Sequence, residues 1–152
     1  MTQRLNPFAV SPDGVAALAG VESYLQACGL DHRLVALVKT RVSQINGCAY
    51  CLHMHTAEAR KLGESDTRLH LLDAWRESNL YSARERAALA WAESLTNIAA
   101  THAPDAVYEE ARRQFSEKEL ADLSIAIAMI NAWNRLAIGV RSVHPAERAK
   151  AA

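Results

Sequence analysis

Residues 34–55 read LVALVKTRVSQINGCAYCLHMH, and this stretch carries the strongest signals for the fold. Its apolar residues recur at steps of three and four positions, which places them on one face of an α-helix. These residues are Val35, Val38, Val42 and Ile45. The Asn46-Gly47 pair that follows is typical of a helix that ends in a left-handed conformation. The stretch therefore predicts a helix over about 31–45, a sharp stop, and a second helix that begins at Cys48.

Outward from this stretch, the chain keeps the same helical character. None of its four prolines lies between residues 13 and 103. Ser82 to Glu85 and Ser116 to Glu119 both match the capping box that opens a helix. The predicted helices cover about 12–29, 31–45, 48–63, 66–76, 105–114 and 116–139, and one more opens at Ser82. This pattern indicates an all-α fold.

Length and charge restrict the class of protein. The chain has 152 residues, of which 50% are hydrophobic and 22% are charged. We expect one domain over 1–152, with its core over about 11–140, because no linker long enough to divide the chain is visible. Seventeen basic residues balance seventeen acidic ones. This balance argues against a nucleic-acid partner and against a polybasic membrane-surface protein.

Targeting signals are not visible in the sequence. The segment from Met1 to Pro7 has no apolar core of the kind that a signal peptide contains. The longest uncharged apolar run, Leu123 to Asn134, has twelve residues and is too short to span a bilayer. We therefore interpret it as a buried core helix and expect a cytoplasmic protein with no membrane partner. In the cytoplasm, a paired cysteine motif is more often catalytic or metal-binding than structural.

The segment from Cys48 to His55 carries the candidate chemistry. On a helix, Cys48 and Cys51 are i,i+3 neighbours and Cys51 and His55 are i,i+4 neighbours, so all three share a face, while His53 points away from it. Gly47 directly precedes the motif, so both cysteines belong to the first turn, where the helix dipole favours a thiolate. A nucleophile, a second thiol and a base on two turns of helix are the groups that a thiol–disulfide cycle needs.

Other interpretations of the cysteines remain open. A c-type haem is excluded because Leu52, and not a histidine, follows the second cysteine. A zinc site could use Cys48, Cys51 and His55 with a fourth ligand from elsewhere, although no second metal-type spacing is present. The cysteines could also be buried apolar residues, which is the interpretation that we favour for Cys28.

Several segments resemble the alkylhydroperoxidase AhpD-like branch of the carboxymuconolactone decarboxylase family. The similarity covers about residues 34–138, and the Cys-x-x-Cys-x-x-x-His core is specific when it follows Ser-Gln-Ile-Asn-Gly. The segments are 41–51, His53 to Thr56, 59–61, 75–78, 85–91 and 130–135. The resemblance implies an AhpD-like helical bundle that assembles as a homo-trimer or homo-hexamer.

The resemblance also implies catalytic roles. Cys51 attacks a peroxide oxygen and becomes a sulfenic acid, Cys48 closes a redox-active disulfide with it, and His55 belongs to the proton relay. The activity implied is an antioxidant peroxidase, an oxidoreductase that reduces hydrogen or organic peroxides without a cofactor or a metal. A dithiol reductant, such as a lipoyl-bearing protein, restores the thiols. Tyr50 lies between the cysteines and is either a pocket residue or a packing or exposed tyrosine.

The sequence departs from the family at one position. The relay of the family usually includes a glutamate twelve residues before the first cysteine, and this chain has Ala36 there. Another carboxylate could replace it in space, with the candidates being Glu22, Glu58, Glu93 and Glu119. By residue type alone, we interpret each of them as a solvated charge on a helix face.

Two alternative functions remain. The first is a thiol–disulfide oxidoreductase, or a redox- or metal-sensing helical oligomer, without peroxidase turnover. The second is decarboxylation of a muconolactone-like acid, for which a cysteine pair is not expected. The other side chains with possible chemistry are interpreted as structural. We expect surface or capping roles for His32, His70, His102 and His144, and core or interface roles for Trp75, Trp91 and Trp133.

Overall fold

A computed structural model of the chain describes residues 2–148, which are helical with no strand in that range. The α-helices in chain order are α1 (Pro7–Val10), α2 (Pro12–Ala27), α3 (His32–Asn46), α4 (Ala49–Lys61), α5 (Asp66–Leu71), α6 (Ala83–Thr96), α7 (Ile98–Thr101), α8 (Asp105–Gln114), α9 (Glu117–Val140) and α10 (Pro145–Arg148). A 3₁₀ helix, Leu72–Glu77, follows α5. The prediction of an all-α fold is confirmed.

The helix boundaries follow the capping signals in the sequence. Ser82 and Ser116 both form complete capping boxes, in which the serine side chain accepts from the backbone three residues on and the glutamate there accepts from the serine N–H. Gly47 ends α3 in the left-handed conformation. Local hydrogen bonds therefore fix where α3, α6 and α9 begin or end.

The predicted helix over 66–76 is wrong in its second half. The chain leaves the α-helix after Leu71 and continues as a 3₁₀ helix in which Ala74 is non-helical. Leu69, Leu72 and Trp75 are all buried. Residues three apart are directly in line in a 3₁₀ helix, so Leu72 and Trp75 lie one above the other, whereas an α-helix would offset them around its axis. Tertiary packing therefore overrides the local preference here.

Three short helices were not predicted. The helices α1, α7 and α10 have four residues each, which is one turn, and a single turn cannot show a helical period. Helix α10 ends at Arg148, and residues 149–152 lie outside the described residues.

Helix α3 is the centre of the bundle. Every residue from Leu34 to Thr40 is buried, and α3 packs against α4, α6 and α9. The largest buried cluster joins these helices, and its fully buried members include Val38, Val42, Ala88, Leu123, Ile127 and Ile130. Because α3 is surrounded, its C-terminal end and the start of α4 are held at a fixed place in the fold.

Helix α9 is longer than the uncharged run in its sequence. It has 24 residues, and by length and composition alone it could cross a membrane. The core helix of a soluble bundle meets the same criterion, and Leu123, Ile127 and Ile130 are fully buried against neighbouring helices. The twelve-residue run underestimates the helix length, and the burial fits the predicted core helix.

Candidate active site

The cysteine motif begins at the turn between α3 and α4. Gly47 has φ 68° and ψ 33°, a conformation that a residue without Cβ adopts without strain. Cys48 is the N-cap of α4, and its Sγ accepts a hydrogen bond from the backbone N–H of Cys51 at 3.4 Å. The two Sγ atoms lie 2.6 Å apart, and both side chains are buried. The structure holds them as free thiols in contact with each other.

Cys48 is the more acidic of the two thiols. A hydrogen bond from the Cys51 thiol, with further ones from the backbone of Cys51 and Tyr50 and the Asn134 amide, lowers the pKa of Cys48 to about 7 in spite of burial. The hydrogen bond to Cys48 and burial raise the pKa of Cys51. These values belong to the pair. Above neutral pH the two sulfurs therefore share one proton.

A buried asparagine supports the pair from α9. Asn134 accepts a hydrogen bond from Asn46 Nδ2 at 2.8 Å and donates one through its own Nδ2 to Ser43 Oγ at 3.2 Å. Its amide also favours the thiolate form at both cysteines. Since Ser43 and Asn46 lie in the last turn of α3, Asn134 ties α9 to the turn that carries the motif.

His55 is held by a carboxylate of its own helix. It lies one turn after Cys51 on α4 and is buried, and its Nδ1 is 2.9 Å from Oε2 of Glu58. The hydrogen bond with His55 is the main cause that lowers the pKa of Glu58, so Glu58 is ionised at neutral pH. With Nδ1 occupied, Nε2 is the ring nitrogen that remains for proton exchange with a reactant.

The position where the family has its relay glutamate lies in the core. Ala36 is 2% exposed and packs with Ala59 and Leu69. An ionised side chain buried there would lose its hydration and would need a partner to offset that cost. The carboxylate that meets the histidine comes instead from Glu58, three residues after His55 on α4. Helix side chains at this spacing are neighbours, so the sequence contained the signal for this pair.

The other candidate carboxylates have different partners. Glu22 lies on the same cavity as His55, Glu93 bonds Arg41 and the Trp75 indole, and Glu119 belongs to the capping box of α9. The expectation that these carboxylates are solvated is wrong for Glu22 and Glu93, which are 25% and 14% exposed and are held by side chains of other helices. Sequence spacing does not reveal such partners. Glu58 and Glu119 keep 41% and 36% of their side chains exposed, and each also pairs with a specific side chain.

Cys51 and His55 face a large cavity. We call it the first cavity; its volume is about 570 Å³, and Tyr50, Cys51, His55 and Glu58 form its reactive side. The rest of its lining is mostly apolar, with members that include Phe8, Val15, Ala19, Met54, Trp133 and Leu136. An apolar cavity with a few convergent polar groups is the usual form of a small-molecule site.

A second polar cluster lies on the wall of the first cavity. Lys39 is 4% exposed, and its Nζ lies 2.6 Å from Oε2 of Glu22. The indole Nε1 of Trp133 donates to the other carboxylate oxygen of Glu22 at 3.1 Å. The sequence predicts a core or interface role for Trp133, and the structure places it partly buried on the cavity wall. Lys39 lies on α3 and Glu22 on α2, so no local sequence pattern predicts their contact.

Cys48 faces a different cavity. This second cavity has a volume of about 370 Å³ and is lined by Cys48 and His144. Tyr50 lines both cavities. The expectation of a surface or capping role for His144 is therefore incomplete. Tyr50 stands between the two openings, on the helix that carries both cysteines.

The other histidines and Cys28 do not line either cavity. His53 is exposed, as the helical spacing predicts, and so are His32, His70 and His102. Cys28 is partly buried and packs at the edge of the core. In residues 2–148 no group of three or more His, Cys, Asp and Glu side chains is arranged to hold a metal ion.

Comparison with known proteins places this geometry in a family. The model of the carboxymuconolactone decarboxylase family matches residues 12–94. An uncharacterized protein of Bacillus subtilis (strain 168), YdfG, is 39% identical over 140 residues, which cover 92% of this chain and 95% of YdfG.

Two solved structures share the fold. ATU0492 from Agrobacterium tumefaciens, described as a putative antioxidant defence protein AhpD, has a TM-score of 0.92 and 44% identity, covering 95% of this chain and 99% of that one. A peroxidase-related protein from Silicibacter sp. TM1040 has a TM-score of 0.81 and 26% identity, covering 92% of this chain and 74% of that one. The chain therefore belongs to the carboxymuconolactone decarboxylase family and has its AhpD-like fold.

Proposed function

We propose that this protein is a thiol-dependent peroxidase that reduces hydrogen or organic peroxides through a disulfide cycle between Cys48 and Cys51. The observation that carries the proposal is the arrangement of Cys51, His55 and Glu58 on one apolar cavity, with Cys48 in contact with Cys51 from behind. The descriptions of ATU0492 as an antioxidant defence protein and of the Silicibacter protein as peroxidase-related support it.

The first step is attack of Cys51 on the peroxide. Above neutral pH the pair carries one thiolate. Cys51 becomes a thiolate when the proton of its thiol moves to Cys48 or to His55. The Cys51 sulfur attacks one peroxide oxygen, the O–O bond breaks, and the leaving alkoxide or hydroxide takes a proton from His55. The products are an alcohol or water and a Cys51 sulfenic acid.

The second step closes the disulfide. Cys48 ionises readily, since the helix N-terminus, the Cys51 N–H and Asn134 stabilise its thiolate. It attacks the Cys51 sulfur of the sulfenic acid and expels hydroxide, which leaves as water after protonation. The contact between the two sulfurs means that little movement is needed.

Glu58 takes the role that the family glutamate cannot fill from position 36. Its hydrogen bond orients the His55 ring and stabilises the imidazolium that forms when His55 accepts a proton. Glu58 binds His55 Nδ1 and acts on the peroxide only through His55, so it is a positioning residue. The relay is thereby built within α4 and does not depend on α3.

The cycle requires an external reductant. We propose a dithiol, with a lipoyl-bearing protein as the candidate that the family implies, in the cytoplasm of the cell. The apolar lining of the first cavity favours organic peroxides with an apolar substituent, because burial of apolar surface is the main source of affinity there. Hydrogen peroxide is small enough to reach Cys51 through the same opening.

The test is rapid mixing of the fully reduced protein with cumene hydroperoxide, with free thiols counted over time. The wild type is expected to lose two thiols quickly. Cys48→Ser is expected to stop at a sulfenic acid, and Cys51→Ser to stay inert. Cys28→Ser is the matched control, because Cys28 is a thiol outside the motif. A wild type that reacts no faster than free cysteine would falsify the proposal.

One observation favours a second candidate, a thiol–disulfide oxidoreductase without peroxidase turnover. A cysteine with a pKa of about 7 at a helix N-cap, paired with a second cysteine three residues on, is typical of disulfide exchange enzymes. If the wild type is slow with cumene hydroperoxide but rapidly reduces a model disulfide, this second function is the correct one.

A further inference from the structure

The two cysteines line different, adjacent cavities. Cys51 lines the first cavity and Cys48 lines the second cavity, and neither sulfur-bearing residue lines both. Tyr50, Ala137 and Ser142 line both cavities and separate them. A reactant in the second cavity therefore approaches the disulfide from the Cys48 side.

The second cavity has its own histidine–glutamate pair. His144 Nε2 lies 3.2 Å from Oε1 of Glu147, which follows it by three residues. This pair repeats the spacing of His55 and Glu58 on the first cavity. His144 Nδ1 is buried and has no hydrogen-bond partner within residues 2–148. A buried polar atom without a partner is costly, and His144 lines the second cavity together with Cys48.

The charge around His144 suits an anionic or readily ionised ligand. Arg4 and Arg141 line the second cavity with Cys48 and Glu147. His53 of α4 stacks on the His144 ring, with the ring centroids 5.1 Å apart. Among the described residues, the titratable and charged groups that face His144 or share its cavity are thus Glu147, His53, Tyr50, Arg141, Arg4 and the Cys48 thiol. Two arginines against one carboxylate stabilise an incoming thiolate.

We propose that the second cavity admits the reducing dithiol and that His144 is the acid–base group for that half of the cycle. This inference rests on the proposed function and deepens it: each cysteine has its own cavity and its own histidine, one for the peroxide and one for the reductant. The cavity accepts a slender dithiol of the lipoyl type, and its arginines accept the thiolate that this dithiol forms.

The reduction balances in two exchanges. The first thiol of the reductant gives its proton to His144, and its sulfur attacks Cys48 Sγ. The Cys48–Cys51 bond breaks, and its electron pair stays on Cys51, which takes a proton from water in the first cavity. The second thiol of the reductant then releases its proton to water, and its sulfur attacks the reductant's own sulfur in the mixed disulfide. Cys48 leaves as a thiolate and accepts the proton that His144 holds. The dithiol is oxidised to a cyclic disulfide, and both protein thiols are restored.

The test measures the reductive half-reaction alone. The Cys48–Cys51 disulfide is formed with diamide, and its reduction by dihydrolipoamide is followed by quenched-flow labelling of thiols. His144→Asn is expected to slow this reduction about a hundredfold, the scale of a positioned acid–base group. His70→Asn, an exposed histidine on α5, is the matched control.

The two half-reactions separate the possible failures. His144→Asn must slow the reduction of the disulfide far more than it slows the peroxide-driven loss of thiols. His55→Asn must show the reverse pattern. Reduction of His144→Asn at the wild-type rate, or an equal loss in both half-reactions, overturns the inference. If the wild type does not react with peroxide but His144→Asn still slows reduction, the proposed peroxidase fails and the inference about the second cavity stands.

Discussion

At the scale of single residues, the site depends on which groups touch one another. His55 meets Glu58 within α4, at 2.9 Å between Nδ1 and Oε2. Ala36, where the family has its glutamate, packs against Ala59 in the core. In the proposed relay the carboxylate therefore stands on α4 instead of α3, and the histidine is its partner. A proton relay needs a carboxylate at the right place in space, and the helix that supplies it matters little.

Glu58→Gln is expected to slow the loss of thiols to cumene hydroperoxide about tenfold, which corresponds to about 1.4 kcal/mol of barrier. The amide keeps the hydrogen bond but cannot stabilise a positively charged His55. The measurement is single-turnover thiol loss as a function of pH. Glu109→Gln is the control, because Glu109 is exposed on α8. An unchanged rate in Glu58→Gln would show that His55 works without a carboxylate.

At the scale of elements, the junction of α3 and α4 creates the reactivity. Gly47 ends one helix, and Cys48 caps the next, so its sulfur receives a backbone N–H instead of a solvent contact. The free N–H groups and the dipole at the start of α4 favour a negative charge there. Asn134 reaches the same turn from α9 and adds a further hydrogen bond donor.

The Cys48 thiol is expected to titrate with an apparent pKa of about 7. The rate of alkylation by iodoacetamide should therefore rise with pH through about 7, because the thiolate is the reactive form. Cys51→Ala is expected to move this rise to higher pH, since the Cys51 thiol is the main group that stabilises the Cys48 thiolate. Both proteins carry Cys28→Ser, so that only the motif is labelled. A rise at the pH of a free cysteine in the protein with the intact pair would contradict the assignment.

At the scale of the whole molecule, α9 serves both the core and the surface. One face is buried against α3 and α6, and its Asn134 reaches the cysteine turn. The opposite face leaves an apolar stripe exposed. Its members are Ala121, Ile125 and Ala128. An exposed apolar stripe of this kind suits contact with another copy of the chain, as the trimer or hexamer implied by the family requires.

Ile125→Glu is expected to break the assembly, because it places an unpaired charge in an apolar contact. The measurement is molar mass by size-exclusion chromatography with light scattering. The wild type is expected at three or six times the mass of one chain, and the variant at a lower multiple. Ile98→Glu is the control, since Ile98 is an exposed apolar residue on α7. A monomeric wild type, or a variant with unchanged mass, contradicts this prediction.

The sequence by itself determined most of the helical framework. The apolar spacing of α3, the capping boxes at Ser82 and Ser116 and the stop at Gly47 act through contacts within a few residues, so they are visible in the chain. The shared face of Cys48, Cys51 and His55 is local for the same reason. Even the pair of His55 and Glu58 has a helical spacing that the sequence contains.

Only the tertiary structure decided what surrounds that motif. Asn134 comes to the cysteines from α9, Lys39 meets Glu22 from different helices, and the 3₁₀ helix after Leu71 follows from the packing of Leu72 and Trp75. The division of the two cysteines between two cavities also depends on how α4 lies against α9 and the chain ends. These contacts join residues far apart in the chain, where packing of the whole core sets distance and direction and local spacing carries no information.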